Sequence, residues 1–298
     1  TNLYLKNETV NPTWSFKDRG TIMGVKRAME LGHERIGTVS TGNMAASVAC
    51  YGAYNGLRTV VLVPGDISQG KLGQISIYGP EILGVHGDYG DLYYESLELD
   101  DIYFINSDDP YRIEGYKSIA FEIAQEIHAT HVLIPTSSGG SFRGIVKGYE
   151  ELLKNDIISH LPKFAAVQAQ GCSPIKLAYE EDGQVKRWKD PNTVAKAISN
   201  PFPPSGDAVV NKLKELEGLC LAVDDHDILE AQISIARDGI YCQPASAVGV
   251  AAIPQLMDHI GRDSKVVSLI TGSGMKVDVR SSNVDTVTLD GLRDRVSR

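Results

Sequence analysis

The most chemically suggestive segment of this 298-residue chain is Ser15-Phe-Lys-Asp-Arg-Gly20, which sets a lysine in the first turn of a predicted helix, between an aromatic residue and an arginine. The positive end of the helix dipole and Arg19 both favour the neutral amine, the reactive form in Schiff-base chemistry. A solvated surface lysine is the competing reading. Pro135-Thr-Ser-Ser-Gly-Gly-Ser-Phe-Arg-Gly144 joins a predicted strand to a predicted helix. The unpaired N–H groups of such a helix start, the bare backbone of Gly139 and Gly140, and the hydroxyls of Ser137, Ser138 and Ser141 suit a phosphate; a ligand-free αβ loop is the alternative. Ser40-Thr-Gly-Asn-Met-Ala-Ala-Ser47 makes the same transition and suits a carboxylate, or is an ordinary cap. Thr271-Gly-Ser-Gly-Met-Lys276 closes the last predicted strand in the same style.

Other patterns carry less. Gly65-Asp-Ile-Ser-Gln-Gly-Lys-Leu72 has the spacing of a P-loop, but Leu72 stands where Mg²⁺ needs a hydroxyl, which argues against a nucleotide triphosphatase. The seven histidines show no H-E-x-x-H or other metal spacing, no G-x-S-x-G elbow supports a serine hydrolase, and no G-x-G-x-x-G supports a dinucleotide site.

The elements that must position these loops alternate. Strands are predicted at 3–6, 36–40, 59–64, 82–86, 102–106, 131–135, 164–170, 219–223 and 266–271, and helices at 15–31, 43–55, 115–128, 142–153, 225–237 and 244–259. Asp225 is the expected cap of the fifth helix, and Gly32 and Gly239 punctuate the first and fifth. Such alternation means an α/β fold with open parallel sheets covered on both faces. Polar loops at strand ends then share a crevice. The run 36–106 reads as a small domain inserted in a larger one, Asp108-Asp-Pro-Tyr111 as a turn, Ile198 to Gly206 with its three prolines as a loop, and Ser281 to Arg298 as a polar tail.

With 29 basic and 38 acidic side chains, the net charge of −9 excludes nucleic-acid or membrane binding driven by bulk charge. No apolar run approaches a membrane span, and Cys50, Cys172, Cys220 and Cys242 form no C-x-x-C pair, so a reduced cytoplasmic setting is expected. The start at Thr1 rather than Met suggests a missing leading segment.

Taken in order, Asn11 to Gly20, Ser40 to Ser47, Asn106 to Gly115, the Ser137 to Ser141 loop, Cys242-Gln-Pro-Ala-Ser-Ala247 and Thr271 to Gly274 resemble the motifs of the threonine synthases. These are pyridoxal-phosphate enzymes of the tryptophan-synthase-β, or fold type II, group. The resemblance implies two open parallel-sheet domains, 35–114 inserted in 1–34 with 115–298, and a cofactor between them. It implies that Lys17 carries the cofactor, Asn43 bonds its 3′ oxygen, Ser137, Ser138, Gly139, Gly140 and Ser141 hold its phosphate, and Thr271 meets its pyridine nitrogen. Ser40 and Thr41 would seat the substrate carboxylate, and Asn106, Ser107 and Arg112 its phosphate. The implied reaction takes O-phospho-L-homoserine and water to L-threonine and phosphate, commonly in a homodimer. Trp14, Met44, Gln243 and Ser273 depart from the usual glycine, threonine, glutamate and histidine. Those departures keep open a related dehydratase or sulfur-amino-acid synthase, or a non-catalytic paralogue that binds pyridoxal phosphate or an amino acid.

Overall fold

The structure is a computed structural model that describes residues 2–65, 72–86 and 89–277. Residues 66–71 of the P-loop-like segment and the tail from Ser281 lie outside the described residues. In chain order the first part runs β1 (Asn2–Asn7), α1 (Lys17–Glu30), β2 (Arg35–Val39), α2 (Asn43–Tyr54), β3 (Arg58–Pro64), α3 (Gly73–Ser76), β4 (Glu81–Val85), α4 (Tyr89–Leu97) and β5 (Tyr103–Phe104). The second runs α5 (Pro110–Glu126), β6 (His131–Pro135), α6 (Gly140–Lys154), β7 (Lys163–Ala169), α7 (Pro174–Glu180), α8 (Gly206–Glu215), β8 (Leu219–Val223), α9 (Asp225–Arg237), α10 (Pro244–Ala251), α11 (Ile253–Leu256) and β9 (Lys265–Ile270).

Two sheets form, ordered β1-β9-β6-β7-β8 and β4-β3-β2-β5, and every described pairing between these strands is parallel. In the larger sheet the strand period of two sends Val132, Ile134, Phe164 and Ala166 into one core, and Leu133, Ala165 and Val167 into the other. Both faces are therefore covered, as parallel strands require. The fold is α/β, as expected.

Three details differ from the expected elements. The Asp108-Asp-Pro turn is a helix start: Asp109 Oδ1 accepts the N–H of Arg112 at 2.7 Å and Pro110 opens α5, so the helix begins five residues before 115. The helix expected at 244–259 is broken, because Pro254 offers no N–H and its ring opposes the preceding turn. Asp224, not Asp225, caps α9 by accepting the N–H of Asp227 at 2.9 Å. The stops at Gly32 and Gly239 are as expected, with φ of 81° and 88°.

Helix α5 lies between α1 and α6, and glycines make that fit. A Cβ on Gly115 would run into the carbonyl oxygen of Arg19, one on Gly20 would stand 2.6 Å from Arg112 Cγ, and one on Gly144 would stand 2.5 Å from the carbonyl oxygen of Ile113. Helix α1 also joins the two sheets: Phe16 packs in the larger sheet's core, while Val25 and Ala28 pack with Ile36 and Met44 beside the smaller sheet. Gly115→Ala is therefore expected to destabilise the protein by about 3 kcal/mol, whereas Gly73→Ala, with no neighbour within 4 Å, changes little. Denaturant unfolding of both variants measures the difference, and equal midpoints would refute the close helix packing.

Candidate active site

A cleft of about 1220 Å³ opens where strands end. The segments after β2, β5, β6 and β9 supply Ser40 and Thr41, Ser107, Ser137 to Ser141, and Thr271 to its lining. Lys17 at the start of α1 and Asn43 at the start of α2 also line it. Lys17 is half-buried, and burial, followed by the charge of Arg112, brings its amine down from 10.5 to about 7. Its Nζ stands 4.5 Å from the centre of the Phe16 ring.

Arg19 does not fill the role expected of it. Its guanidinium pairs with Glu8 at 2.5 Å and Glu122 at 2.6 Å, so its charge is neutralised locally; the cation acting on Lys17 is Arg112. Asp18 holds the start of α1 instead: its carboxylate accepts the N–H of Thr13 at 2.7 Å, the hydroxyl of Thr13 at 2.6 Å and that of Ser47 in α2 at 2.6 Å.

Helices α1, α2, α6 and α10 begin at the cleft, and none has a side-chain cap, whereas aspartates cap α5 and α9. The first-turn N–H groups of α2 and α6 stay available to a ligand, whereas those of Asp18 and Arg19 in α1 and of Ser246 in α10 already donate to the carbonyls of Ser15, Phe16 and Gln243. Gly139 precedes α6 with φ of 94°, a conformation that L side chains rarely adopt. The loop is braced from behind: Asn200 Nδ2 donates to Ser138 Oγ at 3.0 Å, and the N–H of Ser205 donates to the Ser138 carbonyl at 3.0 Å.

Two expected substrate contacts, Asn106 and Arg112, do not line the cleft. Asn106 is buried, with Oδ1 accepting the N–H of Val39 at 3.0 Å and Nδ2 donating to Ser96 at 3.1 Å, so its amide pins the end of β2. Arg112 is 0% exposed; its Nη1 donates to Thr21 at 2.9 Å, while Nε and Nη2 find no partner among the described residues. A buried guanidinium with two unpartnered donors is a group that an anion would satisfy.

The departures from the family pattern also find places. Trp14 has φ of 60° and is 53% exposed at the cleft, a left-handed backbone that suits glycine and is strained for a tryptophan. Met44 packs with Val25 and Val48. Gln243 donates through Nε2 to Asn43 Oδ1 at 3.2 Å, and the N–H of Ser273 bonds the Trp14 carbonyl at 2.9 Å.

Sequence reasoning missed Arg187, Lys196 and Lys276, which line the cleft beside Lys17, and no described Asp or Glu joins them there. Lys276 donates to the Thr13 carbonyl at 2.7 Å, and burial brings its amine down to about 8 although Asp18 opposes the shift. Its place in the Thr271 to Lys276 loop was the available signal; Arg187 and Lys196 had none, since they precede α8 on an irregular segment. Asp224, His226 and Asp227 also draw their ligand atoms within 4.8 Å of one another, but all three are exposed and Asp224 caps α9.

The model of the pyridoxal-phosphate dependent enzyme family matches residues 1–272. The threonine synthase of Methanocaldococcus jannaschii is 39% identical over 285 residues, covering 92% of this chain and 70% of the relative. That of Methanosarcina acetivorans is 37% identical over 311 residues, covering 99% and 77%. Among solved structures, threonine deaminase isoform 2 of Solanum lycopersicum superposes with a TM-score of 0.80 at 22% identity, covering 100% of this chain and 78% of the other, and maize serine racemase with 0.79 at 19%, covering 99% and 86%. The structural likeness shows the shared fold, and the sequence matches go further: the chain belongs to the pyridoxal-phosphate-dependent enzymes, within their threonine synthase branch.

Proposed function

We propose that the cleft holds pyridoxal phosphate and converts O-phospho-L-homoserine and water to L-threonine and phosphate. The observation that carries this reading is the union, in one cation-lined cleft, of a lysine amine brought down to about 7 with an uncapped, glycine-bearing helix start. The residues fit the cofactor: the hydroxyls of Ser137, Ser138 and Ser141 and the uncapped start of α6 line the cleft with Lys17, Asn43 and Thr271, and the bare Cα atoms of Gly139 and Gly140 let that loop pack against Ser205 and the Ser107 carbonyl. Lys17 attaches the cofactor, Ser137, Ser138 and Ser141 with the α6 N–H groups hold its phosphate, Asn43 bonds its 3′ oxygen, and Thr271 faces its ring nitrogen. When bound, the cofactor supplies the electron sink that makes substrate carbon–hydrogen bonds acidic.

The protein residues then do the following. Ser40, Thr41 and the uncapped start of α2 bind the substrate carboxylate. Lys17 Nζ, once freed by the substrate amine, would take the proton from Cα and then one from Cβ; phosphate would leave Cγ, protons would return to Cγ and Cα, and water would supply the hydroxyl at Cβ. Ser107 meets the substrate phosphate directly. Arg112 contributes its charge from α5, where it is bonded to Thr21 of α1, and the smaller unit, residues 35–114, closes on the larger, 1–34 with 115–298, over the substrate, while Asn106 keeps its structural position. Crystals of free and ligand-bound protein should differ in the angle between these units. A cytoplasmic homodimer completes the reading, supported by four free cysteines and by the family's usual assembly.

Release of phosphate with threonine from O-phospho-L-homoserine is expected, and release of a 2-oxoacid would favour the dehydratase reading instead. Lys17→Ala should lower turnover by at least about 10³-fold, while Arg112→Met should chiefly raise KM.

The pH dependence follows from Lys17. Below about 7 its amine is protonated and cannot attack a carbonyl, so cofactor uptake should rise through pH 7 and level above it. Arg112→Met removes a neighbouring cation and should move that midpoint upward, an effect readable in the rate of formation of the cofactor absorbance. The folded amine binds its proton more weakly than the unfolded one at 10.5, so stability of the cofactor-free protein should climb between about 7 and 10.5. A flat profile in both measurements would contradict the assigned environment.

A further inference from the structure

Ser246, in the first turn of α10, is 0% exposed and does not line the cleft, yet its hydroxyl touches Thr271, the residue assigned above to the cofactor ring. Its Oγ lies 3.0 Å from the N–H of Gly272, 2.9 Å from Thr271 Oγ1 and 3.1 Å from the carbonyl oxygen of Gly272. The amide of Gly272 can only donate, so Ser246 Oγ accepts there and has one proton left to place.

Two acceptors compete for that proton. The Gly272 carbonyl already receives the N–H of Gln243 at 2.9 Å. Thr271 Oγ1 has no other hydrogen-bond partner among the described residues and is the nearer of the two. Sending the Ser246 proton to Thr271 Oγ1, the nearer acceptor and the one with no other donor among the described residues, leaves the Thr271 proton free to point into the cleft. The opposite arrangement would give the Gly272 carbonyl a second donor and turn a lone pair of Thr271 toward the ligand. The N-terminal end of α10 also disfavours a positive charge nearby, and so opposes a protonated ring nitrogen on that side.

We propose that Ser246 is a positioning residue that commits the Thr271 hydroxyl to donate to the ring nitrogen of the bound cofactor. This rests on the reading above that pyridoxal phosphate sits between Lys17 and Thr271. Ser246 touches neither substrate nor cofactor; it acts through the direction of one neighbouring O–H bond. Its removal leaves the Gly272 N–H without an acceptor and the Thr271 hydroxyl free to turn.

The test uses holoenzyme loaded with cofactor carrying ¹⁵N in the ring. In the wild type the nitrogen resonance is expected at the position of an unprotonated pyridine accepting a hydrogen bond. In Ser246→Ala it should move toward that of pyridine without a donor, and the cofactor Kd should rise about tenfold. Ser246→Cys, which keeps a weak donor, should fall between the two in both readouts, and it serves as the variant should Ser246→Ala not fold. A protonated ring nitrogen in the wild type overturns the proposal. So does an unchanged resonance in Ser246→Ala or, failing that variant, in Ser246→Cys. Either result, with normal attachment at Lys17, leaves the cofactor site standing; absence of any adduct at Lys17 overturns both.

Discussion

The segment before α1 runs antiparallel to the segment after β9: the N–H of Phe16 bonds the Thr271 carbonyl at 2.9 Å, and the N–H of Ser273 bonds the Trp14 carbonyl at 2.9 Å. These two bonds tie the residue before Lys17 to Thr271, the residue proposed at the far end of the cofactor ring. A rigid planar ligand attached at Lys17 and contacted at Thr271 requires a fixed span, and a backbone bridge sets that span without relying on long side chains. Asp18 then fixes the rotation of α1 through Thr13 and Ser47, and the glycine contacts of α5 with α1 and α6 bring the phosphate loop alongside. Left-handed backbone at Trp14 is a strained feature of the bridge, and the surrounding bonds hold it there.

Electrostatics solve a second problem. A chain of net charge −9 is suited to an anionic cofactor and substrate only if the local field has the opposite sign. The cleft achieves this with Lys17, Arg187, Lys196 and Lys276, with the open starts of α2 and α6, and with buried Arg112 nearby. Burial, and after it the charge of Arg112, make the amine of Lys17 easier to deprotonate, so Arg112 serves both the local field and the activation of the amine.

Much of this was legible from the residues. The alternation of β-branched runs with helical patterns marked every described strand, because parallel strands buried on both faces need continuous apolar runs. The loops Ser40 to Ser47, Ser137 to Ser141 and Thr271 to Lys276 stood out as polar strand ends and Lys17 as a lysine at a helix start, while the roles expected of Lys17, Asn43 and Thr271 came from the family resemblance. Asn106 and Arg112 show where such reading stops: motif membership placed them near a phosphate, whereas tertiary packing sealed both behind the lining. Arg19 lay close in sequence to Lys17, yet Glu8 and Glu122, distant in sequence, neutralise it. The cations before α8, and the role of Ser246, depend on contacts between segments far apart in the chain, for which no local pattern exists.

The central claim is that Lys17 is the attachment point of pyridoxal phosphate in this cleft. Absorbance of the purified holoenzyme, followed by borohydride reduction and peptide mapping, tests it most directly. The account predicts a band near ~410–420 nm that reduction abolishes, with the pyridoxyl group recovered on Lys17. Binding of pyridoxal phosphate with no adduct at Lys17, or with the label on Lys276, would contradict it.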